Sequence, residues 1–236
     1  IQNVNTVRFE ILKALLNNVQ DTFVDPLRGS LSVEPLANGD SVTYPPVIGS
    51  ETEATDTHYL ESGYAASAIS DSNNPYVTMV SELEEHVGTP VGFSNIAVFI
   101  NNAQVAKSQA LTDFDEVSDR FVRPGADSDV PTGLPANLPG RVIGRVSGAW
   151  VVEWRWIPAN YMLGVHLDAP PPLIRRIDPA DTGLGDGLML VSESDTYPFT
   201  ASHYSHRFGV GAGNRLNGVV MELGTGGTYS IPTGYS

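Results

Sequence analysis

The clearest structural signal in this chain is a pair of adjoining apolar runs, residues 141–146 and 150–157, joined by Ser147-Gly148-Ala149. Both runs are rich in β-branched and aromatic residues, and the short, glycine-containing connection between them is typical of a β-hairpin. A third run, residues 161–167, follows and ends at the proline-rich segment 169–172. The sequence therefore predicts that this part of the chain is β-sheet.

Helical periodicity is restricted to three segments, residues 5–20, 75–87 and 101–111. Asn5 or Thr6 is the predicted cap of the first helix, and Asn73 or Asn74 that of the second, with Pro75 in its first turn. The apolar positions of the first two helices are Phe9, Leu12, Leu15, Leu16 and Val19, then Val77, Val80, Leu83 and Val87, with Tyr76 and Met79 nearby. The first helix has to bury its stripe against the rest of the chain or against a neighbouring subunit.

The remaining signals are short strands and turns. Residues 95–100 form a nearly continuous apolar run and predict a buried strand, and residues 188–191 are a short apolar segment. Residues 203–209 and 216–223 are expected to pair as a final β-hairpin. The 23 glycines and 17 prolines imply many turns and argue against a helical bundle. The predicted fold class is α+β, with few helices and many short strands.

Residues 29–63 have a different character. Short alternations at residues 31–33 and 41–44 flank the turn-forming Asn38-Gly39-Asp40, and residues 49–57 are polar and acidic. These patterns predict a long, exposed β-hairpin arm. A long segment without a core-forming pattern is unusual inside a compact domain, which suggests that the arm lies on another subunit.

The charge balance limits the partners of this chain. Thirteen basic residues stand against 27 acidic ones, for a net charge of −14, and a surface of this kind repels phosphate backbones. The acidity serves either solubility or a container wall that does not adhere to nucleic acid, and both interpretations remain open. The absence of cysteine excludes disulfides and thiolate metal sites, and no apolar run is long enough to span a membrane. The start at Ile1 fits either proteolytic processing or a sequence that is part of a longer product.

No motif indicates catalysis. His203 and His206 are three residues apart on a predicted strand, where they face opposite sides, so a metal site is disfavoured. The chain has no Gly-x-Ser-x-Gly nucleophile turn. The glycine-rich segments 183–187 and 209–213 lack phosphate-loop and EF-hand spacing, and favour turns or close backbone packing. The three acidic side chains of the second helix, which resemble a catalytic pair, are predicted to face solvent: they are Glu82, Glu84 and Glu85.

The three tryptophans Trp150, Trp154 and Trp156 fall on one predicted strand face. They form either a stacking platform for a sugar or part of a core or interface, and packing is the favoured interpretation. No catalytic, cofactor-binding or metal-ligating residue is predicted, no cofactor is expected, and we expect that the protein is not an enzyme.

Three groups of segments resemble one known family. They are residues 81–88 with 95–101, residues 139–145 leading into 150–161, and residues 206–211 followed by 214–220. In order and spacing they are similar to the major capsid proteins of tailed double-stranded DNA viruses with the Hong Kong ninety-seven type fold, over more than half of the chain. Some relatives crosslink through a lysine in the extension loop, but residues 29–63 contain no lysine.

The resemblance implies a domain division: an N-terminal arm (1–28), an extension-loop β-hairpin (29–68), a discontinuous peripheral domain (69–113 and 200–236) and an axial domain (114–199). It also implies self-assembly into pentamers and hexamers of an icosahedral virion shell. This shell would be built in the host cytoplasm and enclose DNA without sequence-specific binding, with decoration, portal and scaffolding proteins as possible partners. An encapsulin-like nanocompartment shell, a monomeric β-rich carbohydrate or cell-surface binding module, and a hydrolase or metal enzyme are the alternatives.

Overall fold

The computed structural model describes residues 2–17, 21–25, 29–33, 58–87, 95–116, 138–177, 188–196, 199–206, 208–212 and 217–235. The helices are α1 (Gln2–Leu16), α2 (Pro75–Val87) and α3 (Asn102–Ser108), with a 3-10 turn at Ala66–Ala68. The strands are β1 (Asp21–Asp25), β2 (Gly29–Val33), β3 (Tyr59–Glu61), β4 (Ile96–Ile100), β5 (Asp115–Glu116), β6 (Arg141–Val146), β7 (Ala149–Glu153), β8 (Tyr161–His166), β9 (Leu173–Ile177), β10 (Leu188–Thr196), β11 (Phe199–His206), β12 (Phe208–Ala212) and β13 (Gly218–Glu222). The α+β class, mostly sheet with few helices, is confirmed.

A seven-stranded sheet with the order β3-β13-β8-β4-β7-β6-β5 forms the centre of the fold. The pairs β13–β3 and β4–β7 are parallel, and the others are antiparallel. All five residues of β4 are buried, because Ile96, Val98 and Ile100 contribute to one core cluster and Ala97 and Phe99 to the other. A strand buried on both faces explains why its sequence is a continuous apolar run.

Helix α2 packs on one face of this sheet through Tyr76, Met79 and Leu83, none of which has measurable solvent exposure. The predicted cap is confirmed, since the Tyr76 amide donates to Oδ1 of Asn74 over 3.0 Å. Gly164 on β8 allows the close approach, because a Cβ there would lie 3.0 Å from the ends of both Leu83 and Met79. The predicted apolar position Val77 is wrong: its side chain is 54% exposed.

Helix α1 covers the opposite face with Leu12, Leu15 and Leu16, so it packs on the core of its own chain rather than requiring a neighbour. It begins at Gln2 and ends at Leu16, which makes the predicted caps and the predicted end wrong. Its last carbonyls would lack partners within the helix. The Tyr59 hydroxyl donates to the oxygens of Leu15 (3.2 Å) and Asn17 (3.0 Å), and the Tyr229 hydroxyl to that of Leu16 (2.6 Å).

Three two-stranded sheets lie outside the central one: β1–β2, β9–β12 and β10–β11. Strand β2 confirms the predicted strand at 31–33. Its partner is β1, and neither this strand nor the pairing was predicted from the sequence. Residues 34–57 of the predicted arm, including the turn at 38–40, lie outside the described residues. At its end the prediction of an exposed arm is wrong: residues 59–61 form β3 of the central sheet, and His58 and Tyr59 are buried.

The predicted pairing of residues 203–209 with 216–223 is wrong. Strand β11 pairs with β10, β12 pairs with β9, and β13 joins the central sheet between β3 and β8. The partners of β12 and β13 are separated from them in sequence by other strands, so adjacent apolar runs do not identify these pairs.

The predicted division into arm, extension loop, peripheral domain and axial domain stays a prediction. The central sheet contains β4 and β13 from the predicted peripheral ranges together with β6, β7 and β8 from the predicted axial range. Within the ranges that the structure describes, no helix has the length and apolar content to cross a membrane.

Candidate functional site

One of the acidic side chains of α2, that of Glu84, is buried. Glu84 is only 6% exposed, and Glu82 is half-buried, so the predicted solvent position of Glu84 is wrong. Glu84 lies four residues after the buried Val80, on the same side of the helix, and α2 packs along this side. Across the described ranges, no three side chains among His, Cys, Asp and Glu come together as a metal-binding group.

A buried histidine that the sequence analysis missed lies at the end of β8. His166 is 4% exposed, and neither of its ring nitrogens has a hydrogen-bond partner among the described residues. Burial lowers the pKa of His166, and the nearby carboxylates of Asp168 and Glu84 oppose this shift in part. The sequence contained a signal for its position: side chains alternate between the two faces of β8, so Met162, Gly164 and His166 lie on the face that α2 covers.

His203 is exposed on β11, and His206 is the last residue of the same strand, so the strand predicted for this segment is confirmed at residues 203–206. The glycine-rich segment around Gly209 and Gly211 is part of strand β12, paired with β9, and not a turn. The second glycine-rich segment, residues 183–187, lies outside the described residues.

The three tryptophans do not share a strand face. Strand β7 ends at Glu153, and Trp154 and Trp156 lie in the turn that follows, where the Ile157 amide donates to the Trp154 oxygen. Trp150 is 7% exposed, and its indole N–H donates to Oδ1 of Asn95 over 3.1 Å. The Trp154 ring meets Phe99 edge-on at 6.0 Å. Trp150 therefore belongs to the core around α1, and Trp154 and Trp156, which are half-buried, pack against this core, as the packing interpretation predicts.

A shallow depression lies beside the β6–β7 turn, lined in part by Asp113, Asp115 and Arg145. The Asp113 carboxylate accepts hydrogen bonds from the amide (2.9 Å) and hydroxyl (2.7 Å) of Ser147. Ser147 and Gly148 both have positive φ, which a tight hairpin turn of this type requires. Asp113 thus stabilises the turn, and its carboxylate oxygen is already occupied.

The β10–β11 ribbon, residues 188–196 and 199–206, is the most exposed element. The side chains that the structure describes on it, those of residues 190–195 and 199–203, are all exposed. They include the large apolar side chains of Leu190 (41% exposed), Val191 (58%) and Phe199 (76%). The described side chains of the ribbon are exposed to solvent, and a two-stranded ribbon by itself is only marginally stable in water.

The two faces of the ribbon differ in chemistry. Residues directly opposite in an antiparallel pair share a face. Glu193 lies opposite Ser202 and accepts its hydroxyl at 3.3 Å, and Asp195 lies opposite Thr200 and accepts its hydroxyl at 2.8 Å. The pairs on the other face are Ser192 with His203 and Ser194 with Ala201, and Phe199 follows on the same face. One face therefore carries the two carboxylates. The other carries small side chains and His203, and it ends at the phenyl ring of Phe199.

No protein-family model matches this chain, and no curated protein matches it. A solved structure from Mycobacterium phage Patience is similar to it, with a TM-score of 0.66 and 22% sequence identity. The alignment covers 96% of this chain and 63% of the phage chain, so this chain spans less than two thirds of that protein's length. The likeness establishes that the two proteins share a fold.

Proposed function

We propose that this chain is a structural subunit of a tailed-phage virion, and specifically a major capsid protein of the Hong Kong ninety-seven type. In this proposal it self-assembles into the pentamers and hexamers of an icosahedral shell around double-stranded DNA, and it is not an enzyme. It is located in the virion after assembly in the host cytoplasm, with portal, scaffolding and decoration proteins as further partners.

The observation that carries the proposal is the fold shared with a protein of Mycobacterium phage Patience over 96% of this chain. The segments that resemble capsid proteins fall on α2, β4, β6, β7, β12 and β13, and all of these except β12 belong to the central sheet or to its helical cover. The resemblance thus concerns the elements that hold the fold together and not peripheral loops.

The charge and the exposed surface support a shell subunit. A net charge of −14 repels the phosphate backbone of DNA, which suits a wall that encloses DNA without sequence-specific binding. An exposed ribbon with three large apolar side chains is typical of a protein–protein contact. The tryptophan-based binding module is less favoured, since Trp150 is buried in the core and Trp154 and Trp156 pack against it.

Electron microscopy of the full-length product in negative stain, with size-exclusion chromatography of the same preparation, tests this proposal. We expect closed shells, or rings of five and six subunits, eluting far ahead of the 25.3 kDa chain. A monomer at every concentration would contradict the shell function. Cargo analysis of intact particles separates a DNA-filled virion from an encapsulin-like compartment that holds an enzyme.

A further inference from the structure

We propose that the segment after β13, residues 224–235, is a strap that holds helix α1 on the central sheet, and that the carboxylates of Glu61 and Glu222 fasten this strap. The strap and α1 then open together as one unit, while α2 and the sheet beneath it stay folded. This inference concerns the single chain and goes beyond the proposed shell function, on which it does not depend.

The strap has no secondary structure of its own to hold it in place. Residues 224–235 belong to no helix or strand, and residues 225–228 are exposed. The segment contains four glycines, two of which, Gly227 and Gly234, have positive φ. A glycine-rich chain loses much conformational entropy when it is fixed. The position of the strap therefore depends on its contacts with the rest of the chain.

Two adjacent carboxylates fasten the strap to the sheet. Glu61 on β3 and Glu222 on β13 lie side by side in a parallel pair, and both are half-buried. The Gly226 amide donates to Oε1 of Glu61. The amide and the hydroxyl of Ser230 donate to the two oxygens of Glu222, each over 2.7 Å. Hydrogen bonds to an ionised group are stronger than neutral ones, so these three contacts fix the course of the strap.

Two tyrosines of the strap contact α1. The Tyr229 hydroxyl donates to the carbonyl of Leu16, the last residue of the helix, where carbonyls lack partners within the helix. The Tyr235 ring lies 5.2 Å from the ring of Phe9, two turns earlier in α1. Tyr229 directly precedes Ser230, so the bonds to Glu222 position the residue next to the one that caps α1.

The strap and α1 lie on the same face of the sheet. Tyr229 and Tyr235 pack against the core cluster that contains Leu12 and Leu16 of α1. The cluster on the opposite face, under α2, includes no residue of the strap among those that the structure describes. Proteins open locally in units of contiguous contacts. Loss of the strap contacts is therefore expected to release α1 and to leave α2 in place.

Amide hydrogen exchange of the full chain, followed by mass spectrometry, tests the inference with Glu222→Gln. This substitution keeps the size of the side chain but replaces one acceptor oxygen by an NH2 group, which cannot accept from Ser230. We expect exchange in α1 and in the strap to become faster by about tenfold, the effect of losing one hydrogen bond to a charged group. Exchange in α2 is expected to stay unchanged.

Glu153→Gln is the matched control. Glu153 is also a half-buried carboxylate of the central sheet, but its hydrogen bonds come from the Arg141 guanidinium, over 2.8 and 3.1 Å. We expect exchange in α1 of this variant to equal that of the wild type. Ser230→Ala tests the fastening from its other end at an exposed position, where the fold tolerates the change. It removes only the hydroxyl bond, and we expect exchange in α1 to rise about threefold.

Three results would overturn the inference. Faster exchange in the strap with unchanged exchange in α1 means that the strap opens without the helix. An equal rise in α1 and α2, or an equal rise in α1 with Glu153→Gln, means that the effect is a general loss of stability. Unchanged exchange in both α1 and the strap, in Glu222→Gln and in Ser230→Ala, means that Glu222 does not fasten the strap. A rise confined to α1 and the strap supports the inference, whether or not the chain assembles into shells.

Discussion

The hydroxyl of Tyr229 is expected to stabilise the junction between the first helix and the C-terminal segment. It donates to the Leu16 carbonyl over 2.6 Å, while its ring packs 4.9 Å from Tyr59 and 5.9 Å from Tyr161. Tyr229 is half-buried, and burial raises the pKa of its hydroxyl above the ordinary value. Tyr229→Phe removes this hydrogen bond and keeps the ring contacts.

The expected change in the free energy of unfolding depends on the Leu16 carbonyl, which loses its hydrogen-bond donor. A typical intramolecular hydrogen bond contributes about 0.5–1.5 kcal/mol, and leaving a buried partner unsatisfied costs about 1–3 kcal/mol. We therefore expect Tyr229→Phe to lower the free energy of unfolding by about 1–2 kcal/mol. For a chain of this size the corresponding decrease in Tm is roughly 2–8 °C.

Thermal unfolding followed by circular dichroism measures the effect, and amide hydrogen exchange locates it in α1. Tyr235→Phe is the matched control, because the Tyr235 hydroxyl lies 3.5 Å from the Trp156 oxygen, at the limit of a hydrogen bond. We expect this control to change the stability by less than about 0.5 kcal/mol. Equal effects of the two substitutions, or unchanged exchange in α1, would refute the reasoning.

Two further predictions concern the face of the sheet under α2. Because the folded-state pKa of His166 lies below its ordinary value of 6.5, its contribution to stability is present above pH 6.5 and is lost as the pH falls from there through the folded-state value. His166→Leu should flatten this part of the curve of Tm against pH, and an unchanged curve would exclude His166 as its cause. Gly164→Val should lower the free energy of unfolding by about 1–3 kcal/mol, since the added carbons meet Leu83 and Met79, whereas Gly209→Val, in open space, is the control in the same urea titration. A smaller effect at Gly164 than at Gly209 would contradict the close packing of α2.

The sequence correctly predicted those elements that a short stretch of residues specifies, such as a helix cap, a continuous apolar run or a turn. Helix α2 begins at Pro75 after the Asn74 cap, and β4 occupies the continuous apolar run at 96–100, as the sequence indicates. The turn at Ser147 and Gly148 also lies where the hairpin signal placed it. No candidate catalytic residue was predicted. Within the exposed ribbon, only residues 203–206 fall in a predicted strand, and residues 188–191 were noted as a short apolar segment.

Two residues of α2 were assigned to the wrong side of the helix, because the sequence does not show how wide its buried face is. Val77 and Glu84 were assigned by counting apolar residues around a helical wheel. The structure exposes Val77 and buries Glu84, because the sheet contacts the side of α2 that contains Tyr76, Val80 and Glu84. Residue type alone does not show how far around the helix the contact extends, since a carboxylate is tolerated at the end of a buried stripe.

The sequence by itself determined the α+β class, the helix α2, the buried strand β4 and the β6–β7 hairpin, because helix caps, turn residues and apolar periodicity act over short distances along the chain. Only the tertiary structure decided that β13 lies between β3 and β8, that α1 packs on its own core, and that β10–β11 stands exposed. Strand partners distant in sequence are selected by which arrangement buries both faces of the central sheet. That choice depends on the whole chain at once and not on any one segment.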